Sequence, residues 1–479
     1  MRPPRFYPSL GLLIALNVII KPLWIFAIDR QVQNALGDPL YGTYFSLLNL
    51  ALMGGFLLDW GISAYLNRQM AAREISSNES ASDFLYIKLF FAGIFLAVIL
   101  LLAWFSGTER WDILFPVLAI QALSSFLLFL RGIITAQQWF HADAWISVLD
   151  KMVMIFICGS FLYLPAMAGP ISIGKFLWTQ VGATALAVGV VLRLLQKKGF
   201  RFSTGKRSLP AKRLLRQAFP YAMIVLLMTI HYRLDGFLLG QIKSPDEAGL
   251  YATAYRLLDA ANITGYLAAS FLLPFIARRQ NAGEPFQESV QDVRHLLMLY
   301  SITLVILFFF LGGWFNEVLY HRANPVSTRI LQWCMPALIG YSLVQVYGTA
   351  LTACGHIIPF CYIALGAAGI NAVLNIILVP GYGALGCCIA AITSQGIFGI
   401  ASFMLARKKC GVILHPGSAL LYIFIGGILS GSLYGFRLLE LNPVLQVGLA
   451  LLLATGLAMT TGLINIKKFL LQLVLVCLL

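Results

Sequence analysis

The sequence predicts an all-α polytopic membrane protein of about 14 transmembrane helices, arranged as two six-helix lobes related by pseudo-two-fold symmetry plus two C-terminal helices. Three observations carry this prediction. Of the 479 residues, 59% are hydrophobic and only 11% charged, whereas soluble domains carry about 25% charged residues. Apolar runs recur along the whole chain, each near the ~20 residues a helix needs to cross a bilayer. The Lys and Arg residues collect in alternate loops.

The first apolar run, 9–28, follows two Arg residues as a signal peptide would, but no small-residue cleavage site succeeds it, so it reads as a retained helix. Further runs lie at 40–66, 84–105, 112–136, 146–168, 171–195, 217–241, 250–275, 295–313, 330–352, 357–379, 383–405, 418–436 and 443–465. The tail "FLLQLVLVCLL" is too short to span and is expected on the membrane surface.

With the N-terminus placed in the cytoplasm, the inner loops hold 22 of the 34 Lys and Arg residues, nine of them in 193–216. The outer loops hold six: Arg30, Arg110, Lys243, Arg322, Arg329 and Arg437. That bias places both termini in the cytoplasm. The net charge of +15 then records topology and an acidic inner leaflet, not a nucleic-acid partner.

The basic stretch between the sixth and seventh runs divides the chain. It gives an N-terminal lobe at 1–196, a cytoplasmic linker at 197–216, a C-terminal lobe at 217–406, and two additional helices with a tail at 407–479. Within the linker, "GFRFSTGK" imitates a phosphate-binding loop. Five residues separate its glycines where four are required, Arg207 follows the Lys, and no strand precedes it, so no ATP site is expected.

The halves resemble each other. "GDPLYGTYFSLLNLA" follows the first span and "SPDEAGLYATAYRLLDA" the seventh; aligning Gly42 with Gly249 pairs Tyr44 with Tyr251. Asp29 lies 13 residues before Gly42, and Asp235 lies 14 before Gly249. A repeat of six spans is parallel, related by an axis along the membrane normal, with a site expected between the halves.

Charges inside spans are costly and mark function by default. The cations there are Lys21, Lys88, Arg131, Lys175, Arg233 and Arg256; the anions are Asp59, Asp235 and Asp259, with Asp29 at the exit of the first span. Lys88, Lys175 and Asp29 lie near helix ends and are expected to snorkel to the interface. Lys21 sits beside Pro22, which is expected to kink the first helix, and falls in the outer half of the membrane. Asp59, in the inner half, is flanked by Gly54–Gly55 and Gly61, which permit close helix approach. His231 and Asp235 share a helical face, as do Arg256 and Asp259, while Arg233 points away from the first pair. An Arg256–Asp235 or Arg233–Asp259 pair across this hairpin is geometrically reasonable. These charges either line a polar, water-filled cavity, the favoured reading, or only pair to hold the helices together; Arg suits recognition of a diphosphate.

The eight Cys residues are read as reduced packing residues: Cys158, Cys334, Cys361 and Cys477 are isolated, and the adjacent Cys387 and Cys388 lack CxxC spacing or nearby His. No metal and no cofactor is expected.

Three stretches together resemble a known family. "ALGDPLYGTYFSLLNLALMGGFLLDWGISAYLNRQMA" is similar to the start of bacterial polysaccharide-synthesis flippases, with LG, then YG, then D-aromatic-G. "RLDGFLLGQIKSPDEAGLYATAYRLLD" resembles their mid-chain R-x-D followed by G-x-Y-x-x-A, and "LNIILVPGYGALGCCIAA" their later P-x-Y-G-x-x-G turn. The resemblance is to oligosaccharide flippases, O-antigen flippases included, of the superfamily that holds lipid II flippases and MATE exporters.

This likeness implies V-shaped helical lobes and alternating access. It implies an undecaprenyl-diphosphate-linked oligosaccharide as substrate, moved from the cytoplasmic to the outer leaflet of the bacterial cytoplasmic membrane, with polysaccharide polymerases as partners. In the lipid II branch, helices 1, 2, 7 and 8 line a cationic cavity. Carried over by position, Lys21, Arg233 and Arg256 match cationic lining positions, whereas the second span departs from the pattern by offering Asp59.

The substrate-binding candidates are therefore Lys21, Asp59, Arg233, Asp235, Arg256 and Asp259. His231 and Asp235 are candidates for coupling to an H⁺ or Na⁺ gradient, membrane potential being the other driving force. Two rival functions follow from the sequence. An amphiphile exporter of the same fold would confer resistance to cationic dyes. A membrane polymerase or ligase would present a large outer loop, and the longest expected here is the roughly 17-residue "WFNEVLYHRANPVSTRI".

Overall fold

In the computed structural model, which describes residues 6–60, 77–137, 139–163, 171–200, 211–320, 324–413 and 416–463, every regular element of the described chain is a helix. α1 (Phe6–Leu23) loses its regular ladder at Pro22, which has no N–H to donate. A six-residue π-helical turn, Trp24–Asp29, absorbs that defect before α2 (Arg30–Leu36) resumes. The kink expected at Pro22 thus takes the form of a widened turn. α3 (Asp38–Asp59) was expected to continue to 66, but Trp60 adopts left-handed geometry (φ 43°, ψ 29°) and stops it. Gly61, next in sequence, lies outside the described residues.

The chain continues through α4 (Ser77–Phe105), α5 (Trp111–Ala136), α6 (Phe140–Tyr163), α7 (Ile173–Lys197) and α8 (Ala211–Ile242). After these come α9 (Pro245–Asn281), α10 (Gln287–Tyr320), α11 (Pro325–Cys334) and α12 (Ala337–Ala353). The last four are α13 (Ile357–Tyr382), α14 (Ala384–Cys410), α15 (Pro416–Leu438) and α16 (Pro443–Thr460). Among the described residues, 11 helical stretches are long and apolar enough to cross a membrane. The expected first, second and eighth spans are helical as well. The chain is a multi-pass α-helical membrane protein, as its composition predicts.

Two local outcomes differ from the sequence reading. The expected span 330–352 is two helices, α11 and α12, separated at Met335–Pro336. The expected outer loop at 314–330 is largely helix, since α10 runs to Tyr320 and α11 begins at Pro325 under an Asn324 cap. The "P-x-Y-G-x-x-G" segment is a tight turn between α13 and α14. Gly383 takes φ 55°, and a Cβ on Gly386 would lie 2.8 Å from the Leu378 carbonyl carbon and oxygen. The imitation phosphate loop at 201–206, Cys477 and the hydrophobic tail lie outside the described residues.

The described chain forms two compact units, Met1–Gly249 and Leu250–Leu479. In the first, α1 packs on α6, α3 on α4, α5 and α8, and α7 on α5 and α6. Phe84, Phe129, Leu130, Ile133 and Val191 are fully buried at its centre. α8 groups with this unit because it lies along α3. In the second, α14 packs on α11, α12 and α13, while α10 carries α12, α15 and α16. Small residues allow these approaches, as expected where lipid supplies no hydrophobic drive between helices. Gly54 accommodates Ile99, whereas Gly55 faces open space.

The repeated motif meets itself. A Cβ on Gly42 would overlap the Pro245 carbonyl oxygen and sit 2.6 Å from the Gly249 nitrogen. Reciprocally, a Cβ on Gly249 would overlap the Asp38 carbonyl oxygen and sit 2.8 Å from its carbon. Each glycine touches the residue four positions before its counterpart. That is the self-complementary contact a two-fold relation between the copies produces.

Candidate functional site

A charged face of the first unit is built by α1, α5 and α6. On α1, Asn17 and Lys21 are four residues apart and share a face; on α6, Asp143, Ser147 and Lys151 recur at the same interval. The faces meet where Asn17 Nδ2 donates to Ser147 Oγ at 2.8 Å. α5 supplies Arg131, whose Nε and Nη2 donate to the two carboxylate oxygens of Asp143 at 2.7 and 3.1 Å. This two-point geometry fixes the guanidinium plane, and Asp143 is buried. Lys151 contacts the neighbouring Asp150 at 3.2 Å and lies over the Trp24 ring at 4.6 Å from its centroid. Trp24 belongs to the π-helical turn, and its buried indole N–H has no hydrogen-bond partner among the described residues.

Lys21 is half-buried and lies within Coulombic reach of Arg131, Asp150 and Lys151. Among the described residues it makes no ion pair. Its level is beside Ser147–Lys151, at the middle of α6. The face therefore combines three cations, Lys21, Arg131 and Lys151, with two carboxylates, Asp143 and Asp150. From sequence, Arg131 is one of six cations inside spans and has no assigned role, the run 146–168 takes in Asp150 and Lys151, and Asp143 falls just before it. The i, i+4, i+8 spacing of Asp143, Ser147 and Lys151 was the available signal.

Asp59 has a different setting. At the end of α3 it pairs with Lys88 at 3.0 Å, and the same ammonium donates to the Leu58 carbonyl at 3.0 Å and Ser125 Oγ at 2.8 Å. Lys88 is 4% exposed, so it does not snorkel. It caps the α3 C-terminus, where a cation meets unpaired carbonyls and the negative dipole end. Asp29 is likewise buried, at 1% exposure, and accepts a 2.9 Å hydrogen bond from Tyr41. Lys175 is exposed, as expected of a residue near a helix start.

On α8, His231 and Asp235 are buried and Arg233 is half-buried, in agreement with Arg233 lying on another face. On α9, Arg256 and Asp259 are both half-buried. The second unit holds a charge that sequence reasoning missed. Arg294 on α10 is 1% exposed. It reaches Tyr347 Oη and the Ile413 carbonyl at 3.4 Å each, while His295 Nδ1 and Tyr422 Oη are 2.7 Å apart. These contacts tie α10 to α12, the 411–413 turn and α15. Among the described residues the cysteines form no disulfide. Among the described residues no group of three His, Cys, Asp or Glu side chains could hold a metal ion.

No curated protein matches the chain in sequence. Among solved structures, the lipid II flippase MurJ in its inward closed conformation is similar at TM-score 0.70 and 14% identity, over 94% of this chain and 98% of that one. A MOP-superfamily transporter from Pyrococcus furiosus is similar at TM-score 0.59 and 12% identity, over 85% and 95%. An inward-facing multidrug resistance MATE transporter is similar at TM-score 0.58 and 11% identity, over 85% and 98%. At these identities the likeness is one of fold. The model of the family described as polysaccharide biosynthesis protein matches residues 14–280, more than half of the chain. By that match, this chain belongs to the polysaccharide biosynthesis protein family.

Proposed function

We propose that the protein is a flippase. It carries an undecaprenyl-diphosphate-linked oligosaccharide, such as an O-antigen or exopolysaccharide repeat unit, from the cytoplasmic to the outer leaflet of the bacterial cytoplasmic membrane by alternating access. It breaks no covalent bond. One observation carries the reading: a chain of this family keeps a face of three cations against two carboxylates inside a membrane unit. Stability alone is a poor reason to bury such a set, and a polar headgroup that cannot cross lipid unaided is a good one.

In this proposal Lys21, Arg233 and Arg256 contact the diphosphate, and Asp59, Asp235 and Asp259 belong to the same polar route. His231 and Asp235 couple transport to an H⁺ or Na⁺ gradient, or membrane potential drives it. Both termini face the cytoplasm, and polysaccharide polymerases take the delivered unit. Deletion of the gene should leave lipid-linked repeat units on the inner leaflet. Neutralising Arg233 and Arg256 together should abolish polymer export with the protein still in the membrane; normal export would remove them from the mechanism.

The fold's likeness to a multidrug transporter supports a second reading, an amphiphile exporter. The cation surplus disfavours cationic drugs as substrates. Resistance to cationic dyes on overexpression, without loss of polymer on deletion, would decide for the exporter. The polymerase or ligase reading needs a large outer loop, and the 314–330 segment is mostly helix.

A further inference from the structure

We propose that Lys21, Arg131 and Lys151 form an anion seat for a phosphoryl or diphosphate group, in which Asp143 positions Arg131 and Asp150 is an internal competitor that the ligand displaces. This rests on the flippase reading for its biological ligand, but the seat itself is argued from the first unit alone.

The two carboxylates are held differently. Asp143 is gripped at both oxygens by Arg131 and its side chain is 6% exposed. Asp150 makes a single 3.2 Å contact with the adjacent Lys151, and its side chain is 16% exposed. Neighbours one residue apart point to different sides of a helix, so this pair is the easier to part. Arg131 spends one N–H each of Nε and Nη2 on Asp143, which leaves both N–H groups of Nη1 and the second of Nη2 as donors. Lys151 is steadied from a second side by Trp24.

Lys21 lies one turn beyond Asn17, whose side chain meets Ser147 of α6, and Lys151 lies one turn beyond Ser147, so both ammonium groups belong to the same α1–α6 face, within the field of Arg131 and Asp150. With the ligand away, Asp150 offsets part of the charge of Lys21 and Lys151. An arriving phosphoryl group brings more negative charge and more acceptor oxygens than one carboxylate, so it takes both ammonium groups and Asp150 turns aside. Nothing covalent changes.

The two aspartates therefore have opposite signs as perturbations. The test uses the full chain in nanodiscs, with inorganic pyrophosphate as probe and titration calorimetry as readout. Asp150→Asn should tighten pyrophosphate about ten-fold, and Asp143→Asn should weaken it about ten-fold, each step being ~1.4 kcal/mol. For transport, Asp150→Asn should lower KM and also lower turnover, because release must then proceed without the competitor. The double variant R131D with D143R restores the ion pair in reverse. A purely structural pair would be rescued by it, whereas the seat predicts a folded protein with pyrophosphate binding still lost.

Weaker binding in Asp150→Asn, or wild-type binding in the charge-swapped protein, overturns the seat. Farnesyl diphosphate identifies the source of the ligand: tighter binding than pyrophosphate assigns the seat to a lipid headgroup, and equal binding to free diphosphate. If gene deletion leaves polymer export intact while the binding pattern holds, the flippase reading fails and the seat stands.

Discussion

Replacement of Gly42 by Ala should be among the most damaging one-carbon changes in the protein. The added carbon would overlap the Pro245 carbonyl oxygen and sit 2.6 Å from the Gly249 nitrogen, where ordinary contact begins at 3.4 Å. The overlap with the carbonyl oxygen is the larger of the two, so the backbones must part by more than ~1 Å. No rotamer change relieves this, because both opposing atoms are backbone, so the cost belongs at or above the ~1–3 kcal/mol typical of overpacking. Gly249→Ala meets the Asp38 carbonyl in the same way and should cost about as much. The double variant should cost less than the sum, since the first substitution has already separated the strands of contact that the second would strain. Gly55→Ala, whose added carbon meets nothing within 4 Å, is the matched control and should be neutral or mildly favourable. Thermal unfolding in detergent, followed by helical circular dichroism, compares the four proteins. If Gly42→Ala melts with Gly55→Ala, the close crossing of the two motif copies does not exist as described.

Lys88→Met removes the donor to Asp59, Leu58 and Ser125 and leaves a carboxylate at a membrane helix end; the same unfolding assay should show a loss of about 2–3 kcal/mol, at the low side for a buried pair because Asp59 is 26% exposed. Adding Asp59→Leu should recover much of that loss, and no recovery would mean that the cap on α3, not the pair, is what Lys88 supplies. Tyr41→Phe takes the phenol hydrogen bond from buried Asp29 and should cost about 1–3 kcal/mol, with full activity and unchanged melting counting against a structural role for that contact.

The fold class was legible because it rests on summed composition, which no single side chain can alter. The repeat was legible at Gly42–Tyr44 and Gly249–Tyr251 for a related reason: a glycine that must admit a backbone cannot drift. Partner identity was not legible. Lys88 reads from sequence as a residue near a helix end, and only the approach of α3 and α5 shows that Asp59 and Ser125 are waiting for it. The run read at 146–168 starts six residues inside α6, because Asp143 depresses the hydropathy ahead of it. Burial of Asp143 and its two-point pairing with Arg131 of α5 remove the penalty that hydropathy assumes. Local reading also missed the end of α3, since left-handed geometry at Trp60 comes from tertiary context, including its stacking on Phe91 at 5.2 Å.

Two kinds of charge thus occur inside this membrane protein, and they differ in what could replace them. The Lys88–Asp59 pair is balanced, hydrogen-bonded and tied to a helix end; apolar residues of similar volume could take its place at little cost in stability. The face on α1, α5 and α6 is unbalanced, since Arg131 consumes Asp143 and leaves Lys21 and Lys151 to share Asp150. An extra cation held in low dielectric opposes folding, and a neighbouring Leu would serve packing better. A structural purpose predicts equal numbers of each sign, because every surplus charge is a penalty. A transport purpose predicts a deficit of anions, filled when the cargo arrives and restored when it leaves. Among the described residues the face has the deficit that the proposed transport role requires, and it lies beside the π-helical turn that follows Pro22.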